Sequence, residues 1–446
     1  MPGWAGVHGQ LPFVHCLSAA RNADQNTVRR RNVETLRERS SIRFGSGRLL
    51  DDGMFIGFGL AVLSWDWRDG GQIMLMHFAH RAMRIRKHLL PLALAMLVSS
   101  CAMGTDSSRR SKDSSPGFRA LTDFSAFLRT TNRSTGEVVL DSGWIRASFA
   151  WDELVVSWNA QTPIGTGLKF EARAMIQKRA TKFYGLGLWA DDTAEQRRES
   201  VVGQKDEDGD VLTDTLVLRQ PTDQMQLRIT LLPAANGSLP TLKLVGLSYV
   251  TRNARVAPQP PLKEAWGKTL PVPERSQLSY PGGRDWCSPT SVSMVLSYWA
   301  RRLNRPELDV DVPEVAAGVF DVNWPGTGNW PFNTAFAGRF PGMQGFVTRL
   351  SDIAELEALV VDGVPPIISV SYDVLHGRAT DQGNGHLVVV VGFTENGDPI
   401  VNDPWARFEK GDKVRLVVPR ANLVRAWAHS RRTVYLIRPE AWLVRQ

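Results

Sequence analysis

The stretch "GNGHLVVVVGFTENGDPIVNDPWA" (residues 383–406) constrains this chain more than any other. From Leu387 to Phe393 the residues are apolar and mostly β-branched, and the run is short, which predicts a buried strand. The "ENGD" that follows is a turn signal, and "PIVNDP" is the returning strand. His386 opens the first strand after a glycine turn, and Asp403 closes the second. The two side chains can therefore come from neighbouring strands, where an acidic partner fixes an imidazole's tautomer and stabilises its cation. A regular ladder around Asn396 and Gly397 does not place them opposite each other. It misses by about four residues, more than ~10 Å at strand rise. Either a bulge shifts the register or Asp403 lies on the bend beyond the strand.

A second feature asks for that pair. In "RDWCSPTSVSMVL" (284–296), Val292, Val295, Leu296 and Trp299 recur at helical spacing. Pro289 is tolerated in a first turn, and Ser288 is able to satisfy free N–H groups there. Cys287 is thus placed at a helix N-terminus, where the macrodipole favours thiolate over thiol. A thiolate is a nucleophile, and His386 is the base available to it. Oxyanion donors are expected from the Cys287 backbone N–H and from the side-chain amide of Gln277 in "ERSQLSYPGGRDWC". Pro281, Gly282 and Gly283 would fold that loop back over the cysteine. The alternative for each residue is structural: a buried helix-start cysteine, a hydrogen-bonded strand-end histidine, an Asp-Pro turn. His376, in "LHGRATDQGNGH", is a rival base without a comparable strand-and-aspartate setting, and His429 has none either. Trp324 and Trp330, in the Gly/Pro/Trp loop 321–338, either stack on substrate or pin the loop.

Gln277, Cys287 with its helix, and "GHLVVVVG…VNDP" resemble, in that order, the C39-like peptidases. The resemblance covers about 270–438 and implies a papain-like fold. It also implies Cys287 as nucleophile, His386 as general base and acid, Asp403 as orienter and Gln277 in the oxyanion hole, with peptide or protein as substrate. Many members carry glycine directly after the cysteine, where this chain has Ser288.

Upstream, residues 118–250 read as short strands with period-two alternation, such as "GTGLKFEARAMI", "DTLVLRQ" and "MQLRITLLP". That pattern predicts an antiparallel β-sandwich, jelly-roll-like, with Trp144, Trp151, Trp158 and Trp189 filling its core or bracing its loops rather than binding carbohydrate or peptide. "DEDGDVLTD" (206–214) clusters carboxylates, but its glycine is misplaced for a calcium loop, and a hairpin turn is the better reading. No metal or other cofactor is expected. The proline-rich 251–269 is the predicted linker into a domain spanning 270–446.

At the other end, "MRIRKHLLPLALAMLVSSC" (83–101) has a basic segment, an apolar run and small residues before Cys101, the grammar of a secretory signal. It resembles a bacterial lipoprotein box. Cys101 is then the lipidation site, 102–117 a flexible tether, and the location extracytoplasmic on a bacterial membrane. The true start is expected at Met83, with 1–82 an over-extended, unstructured start. Only three cysteines are present, Cys16, Cys101 and Cys287, which argues against a disulfide framework. The net charge of +8 comes partly from arginines at 27–44, and no nucleic-acid module accompanies them, so no nucleic-acid partner is expected. The expectation is an α+β chain: a papain-like cysteine peptidase domain behind a β-sandwich, acting as a lipid-anchored thiol hydrolase. The alternatives are a peptide or cell-wall binding protein with an idle domain, and a thiol amidase or transpeptidase.

Overall fold

The computed structural model describes residues 117–252, 257–379 and 381–442, together with the backbone of 15–16. The expected signal, Cys101 and the tether to residue 116 lie outside the described residues, as does the expected 1–82 segment apart from that dipeptide. The two-residue strand β1 (His15–Cys16) runs parallel beside Asn384 and Gly385.

The first region is antiparallel sheet: β2 (Gly117–Leu121), β3 (Leu128–Thr131), β4 (Val138–Asp141), β5 (Ile145–Gln161), β6 (Gly167–Ile176), β7 (Arg179–Ala180), β8 (Tyr184–Trp189), β9 (Gly209–Leu212), β10 (Thr215–Leu232) and β11 (Thr241–Val250). The strand order is β2-β11-β5-β10-β4-β3, with β6 and β9 also on β10. Two strands are far longer than the alternation suggests. "DTLVLRQ" and "MQLRITLLP" form one 18-residue strand, β10, which continues through Pro221. The β5–β10 register shifts between Val217 and Thr222, so the proline falls where the ladder is interrupted and its missing N–H costs no bond. Beyond that break β10 rejoins β5 at Thr222–Met225 and pairs with β6 from Met225 onward. Trp151, Trp158 and Trp189 are core residues, whereas Trp144 is exposed with the Arg173 guanidinium over its ring.

The second region mixes helix and sheet. Helices α1 (Cys287–Leu303), α2 (Val312–Val319) and α3 (Trp330–Gly338) precede β12 (Met343–Arg349). Then come α4 (Ile353–Val361), β13 (Ile367–Ser371), α5 (Tyr372–Leu375), β14 (Asn384–Phe393), β15 (Pro399–Asn402), β16 (Arg415–Val417), α6 (Arg420–Ala428) and β17 (Thr433–Pro439). The sheet order is β12-β17-β13-β14-β15-β16. Its pairings among these strands are antiparallel, so the chain is α+β with mostly antiparallel sheet. β14 is buried along nearly its whole length, as its continuous apolar run requires. The proline-rich stretch is not a free linker to its end. Trp266 bridges to Phe393 and donates to the Glu357 carboxylate, and Thr269 bridges to Gly392.

The two regions pack into one compact unit. Polar residues of β5 face the second region and are satisfied there. Asn159 bonds Gly345 at both N–H and C=O, and Ser157 accepts from Val347 N–H. Glu153 takes Arg349 on one carboxylate oxygen and Arg431 on the other. Phe332 of α3 inserts between Trp158 and Trp189. Buried polar groups of this kind tolerate burial only when paired.

Candidate active site

Gly282 adopts a left-handed φ of 83°, which only glycine reaches without strain. Gly283 passes so close to Gln277 that a Cβ would lie 1.9 Å from the Gln277 carbonyl oxygen. These two glycines fold the loop back on itself and deliver Trp286 as the N-cap of α1. Ser276 and Gln277 are in turn tied to the segment after Asp403: Ser276 Oγ donates to Ala406 C=O at 2.6 Å and Gln277 N–H to Pro404 C=O at 2.9 Å. The cysteine loop and the aspartate bend are thereby one hydrogen-bonded assembly.

Cys287 is the first residue of α1 and is buried. First-turn N–H groups have no acceptor within their own helix. Ser288 does not cap the helix as the sequence suggested. Its hydroxyl lies 3.1 Å from that of Tyr435, so the serine fits the first turn by bonding across to β17.

His386 lies in β14 opposite Val370. Its Nε2 is 2.8 Å from Asp403 Oδ1, and its other ring nitrogen is left for the side-chain hydrogen bond it makes with Cys287. The register question is resolved by both devices together. β14 bulges between Val390 and Gly392 against β15, and the last pair is Val389 with Asn402. At Gly392 the Lys268 backbone runs alongside; a Cβ there would meet the Lys268 carbonyl oxygen at 2.3 Å. Asp403 then sits one step past the strand, its N–H on Val414 C=O. Extending the Val389–Asn402 pairing sets Asp403 opposite Val388, so His386 is its same-face diagonal neighbour, within side-chain reach.

Burial disfavours a charged imidazole, but the charge of Asp403, its hydrogen bond and the bond to Cys287 outweigh that and hold His386 up at about 10. For Asp403, burial acts upward, yet the charge of His386 and hydrogen bonds from His376 and His386 hold the carboxyl well below its usual range. The arrangement favours an imidazolium beside the cysteine and an ionised aspartate behind it.

Gln277 is buried near this loop, but its amide protons are committed. Nε2 donates to Gly283 C=O at 2.9 Å and to Arg284 C=O at 2.7 Å. The expected oxyanion donor is therefore a loop brace in this arrangement, because an amide nitrogen has only two protons to give. Trp324 and Trp330 do not join the cysteine and histidine. They line a cavity of about 160 Å³ with Glu153, Asp214, Arg349 and Arg431, and none of Cys287, His386, Asp403 or Gln277 borders it. Trp330 is buried, and its N–H donates to Asp214. At 206–214, Asp206 accepts from Asp208 and Gly209 N–H and from Tyr184, while Asp208 pairs with Arg179. Those carboxylates are occupied by protein donors.

The setting of three residues escaped the sequence reading. His376 does have an aspartate, and it is the same one: Nε2 lies 2.9 Å from Asp403 Oδ2. His429 has its own partner, Asp381, at 2.9 Å. Asp285, two residues before Cys287, has its carboxyl raised by burial and by the negative charge of Cys287, with Arg284 opposing. Only the last carried a signal, its adjacency to the cysteine.

Residues 123–249 match the family model described as Peptidase C39 N-terminal domain, and residues 269–435 match the Peptidase_C39 like family. The two matches support the C39-like peptidase family as the relationship of this chain. A crystal structure described as a C39-like peptidase from Bacillus anthracis is 18% identical, covers 38% of this chain and 95% of its own, and has a TM-score of 0.29, a likeness too slight to bear on the fold. No curated protein matches the chain.

Proposed function

We propose that this chain is a thiol hydrolase, a cysteine peptidase with a papain-like domain, acting on peptide or protein by acyl transfer. One observation carries the reading. Cys287 opens a helix and is hydrogen-bonded to His386, whose opposite nitrogen is held by buried Asp403. The Cys287 thiolate attacks the carbonyl carbon, and the C=O electrons move to oxygen. Collapse expels the leaving amine, which takes the proton from His386 and leaves a thioester. His386 then removes a proton from water as it attacks the thioester, and returns it to the departing thiol or keeps it as imidazolium beside thiolate. The oxyanion is met by the backbone N–H of Cys287 at the helix start. Gln277 joins it by releasing one of its two carbonyl partners when substrate enters. Lipidation at Cys101 would tether the enzyme to the outer side of a bacterial membrane.

The test is alkylation of Cys287 by iodoacetamide, followed by mass, together with hydrolysis of peptide pools. Wild type should label fast at neutral pH. Labelling should slow at least tenfold in His386→Ala, and hydrolysis should vanish in Cys287→Ala. A wild-type thiol of ordinary reactivity, indifferent to His386→Ala, removes the proposal. Product analysis with added amine separates hydrolysis from transpeptidation, and palmitate incorporation lost in Cys101→Ala tests the anchor.

A further inference from the structure

We infer that His376 is a positioning residue, holding the Asp403 carboxylate in the orientation that keeps His386 aligned with Cys287. The inference rests on the thiol-hydrolase reading. Both carboxylate oxygens of Asp403 are engaged from different directions. Oδ1 accepts from His386 Nε2 at 2.8 Å and from Trp405 N–H at 2.8 Å, while Oδ2 faces His376 Nε2 at 2.9 Å. A carboxylate gripped on one oxygen swings about its Cβ–Cγ bond; gripped on both, it does not. Asp403 stands at the first position beyond β15, where its N–H to Val414 C=O fixes the backbone but not the side-chain torsions, so the grip on Oδ2 has a task that the sheet does not perform.

The proton inventory agrees. An ionised carboxylate only accepts, so both histidines must present Nε2–H to it. For His386 this sends the exchangeable position to Nδ1, the side of Cys287. His376 is itself well anchored. It is the C-cap of α5, its N–H donates to Tyr372 C=O, and its ring packs on the Tyr372 ring at 4.4 Å. Tyr372 also meets the His386 ring edge-on at 5.3 Å, so one tyrosine spaces the two imidazoles. His376 remains 31% exposed in its side chain, against 2% for His386. It is therefore the outer member of the set, and His386 is the one turned inward to the thiol.

The experiment compares wild type, His376→Ala, His376→Gln and His386→Ala in the full chain. It measures kcat and KM on a cleaved peptide, the plateau rate of Cys287 alkylation by iodoacetamide, and thermal midpoints. Removing the donor to Oδ2 should lower kcat and the alkylation plateau about tenfold, the scale of one hydrogen bond to a charged acceptor, with KM little changed. His376→Gln, which keeps an N–H donor, should recover most of that loss. If both His376 variants match wild type while His386→Ala slows alkylation, the positioning role is wrong and the hydrolase reading stands. Equal loss in Ala and Gln that tracks a fall in thermal midpoint also overturns it, since that is a packing defect. If His386→Ala alkylates like wild type, the hydrolase reading itself fails and this inference with it.

Discussion

Asp403 Oδ1 stands 2.8 Å from His386 Nε2, although Asp403 lies beyond the last residue of its strand. A bulge on one strand and a bend on the other bring the pair together inside the protein, and the consequences for activity and stability are measurable.

Replacing Asp403 by Asn removes the charge that stabilises the His386 imidazolium. The alkylation rate and kcat/KM should fall by roughly 10²- to 10⁴-fold. Stability should respond to pH in a defined sense. His386 is raised from 6.5 to about 10, so its contribution is complete below pH 6.5 and is lost as pH climbs toward 10. Asp403 is depressed below 3.8, so its contribution is present above pH 3.8 and is lost on acidification through its lowered value. The gap in urea midpoint between wild type and Asp403→Asn should therefore be widest between those limits. A gap that does not vary across the three regions contradicts the assignment.

Gly283→Ala should be costly for a reason visible at one atom. The new Cβ would meet the Gln277 carbonyl oxygen at 1.9 Å, a backbone atom that cannot step aside alone. A loss of about 1–3 kcal/mol is expected from the overpacking, with slower Cys287 alkylation as the loop shifts. Unchanged urea midpoint and alkylation rate would show that the loop is not the brace described.

Asp285→Asn should act in the opposite direction on the thiol. The Asp285 carboxylate and a Cys287 thiolate repel one another, each favouring protonation of the other. Removing the charge should speed alkylation on the acid side by about two- to fivefold, with the two rates converging at high pH. Slower alkylation in the variant would mean that Asp285 supports the thiolate through a contact other than charge.

Glu153→Ala should weaken the whole unit. It strands two guanidiniums, one of them on Arg349, whose side chain is 2% exposed. Removing one member of a buried ion group costs about 3–5 kcal/mol. Because Glu153 belongs to β5 and both arginines to the second region, tryptophan fluorescence and far-UV circular dichroism should show both regions losing stability together. A variant whose first region melts separately, with the second unchanged, would show that this contact does not couple them.

Much of this was legible locally. The apolar run 387–393 with its turn, the helical spacing after Cys287, and the alternation of 118–250 each encode an element through periodicity and turn chemistry within a few residues. The order of Gln277, Cys287, His386 and Asp403 was readable through its resemblance to the C39-like peptidases. The length of β10 was not, because Pro221 looks like a strand breaker until its neighbouring ladder is seen to be interrupted there. Trp324 and Trp330, open from sequence between stacking on substrate and pinning their loop, line a cavity that none of those four residues borders.

The sequence by itself determined which groups could do chemistry and on which kind of element each would sit. Tertiary structure decided which of them meet. At the Val390–Gly392 bulge, Gly392 is packed against the backbone of Lys268, more than a hundred residues earlier in the chain. The donors of Gln277 are spent on carbonyls reached only once the glycine loop has closed. His376 meets Asp403 only because α5 and the bend after β15 converge on one carboxylate. Propensity is a property of neighbours in sequence, whereas a shared carboxylate is a property of neighbours in space, and only the folded chain supplies those.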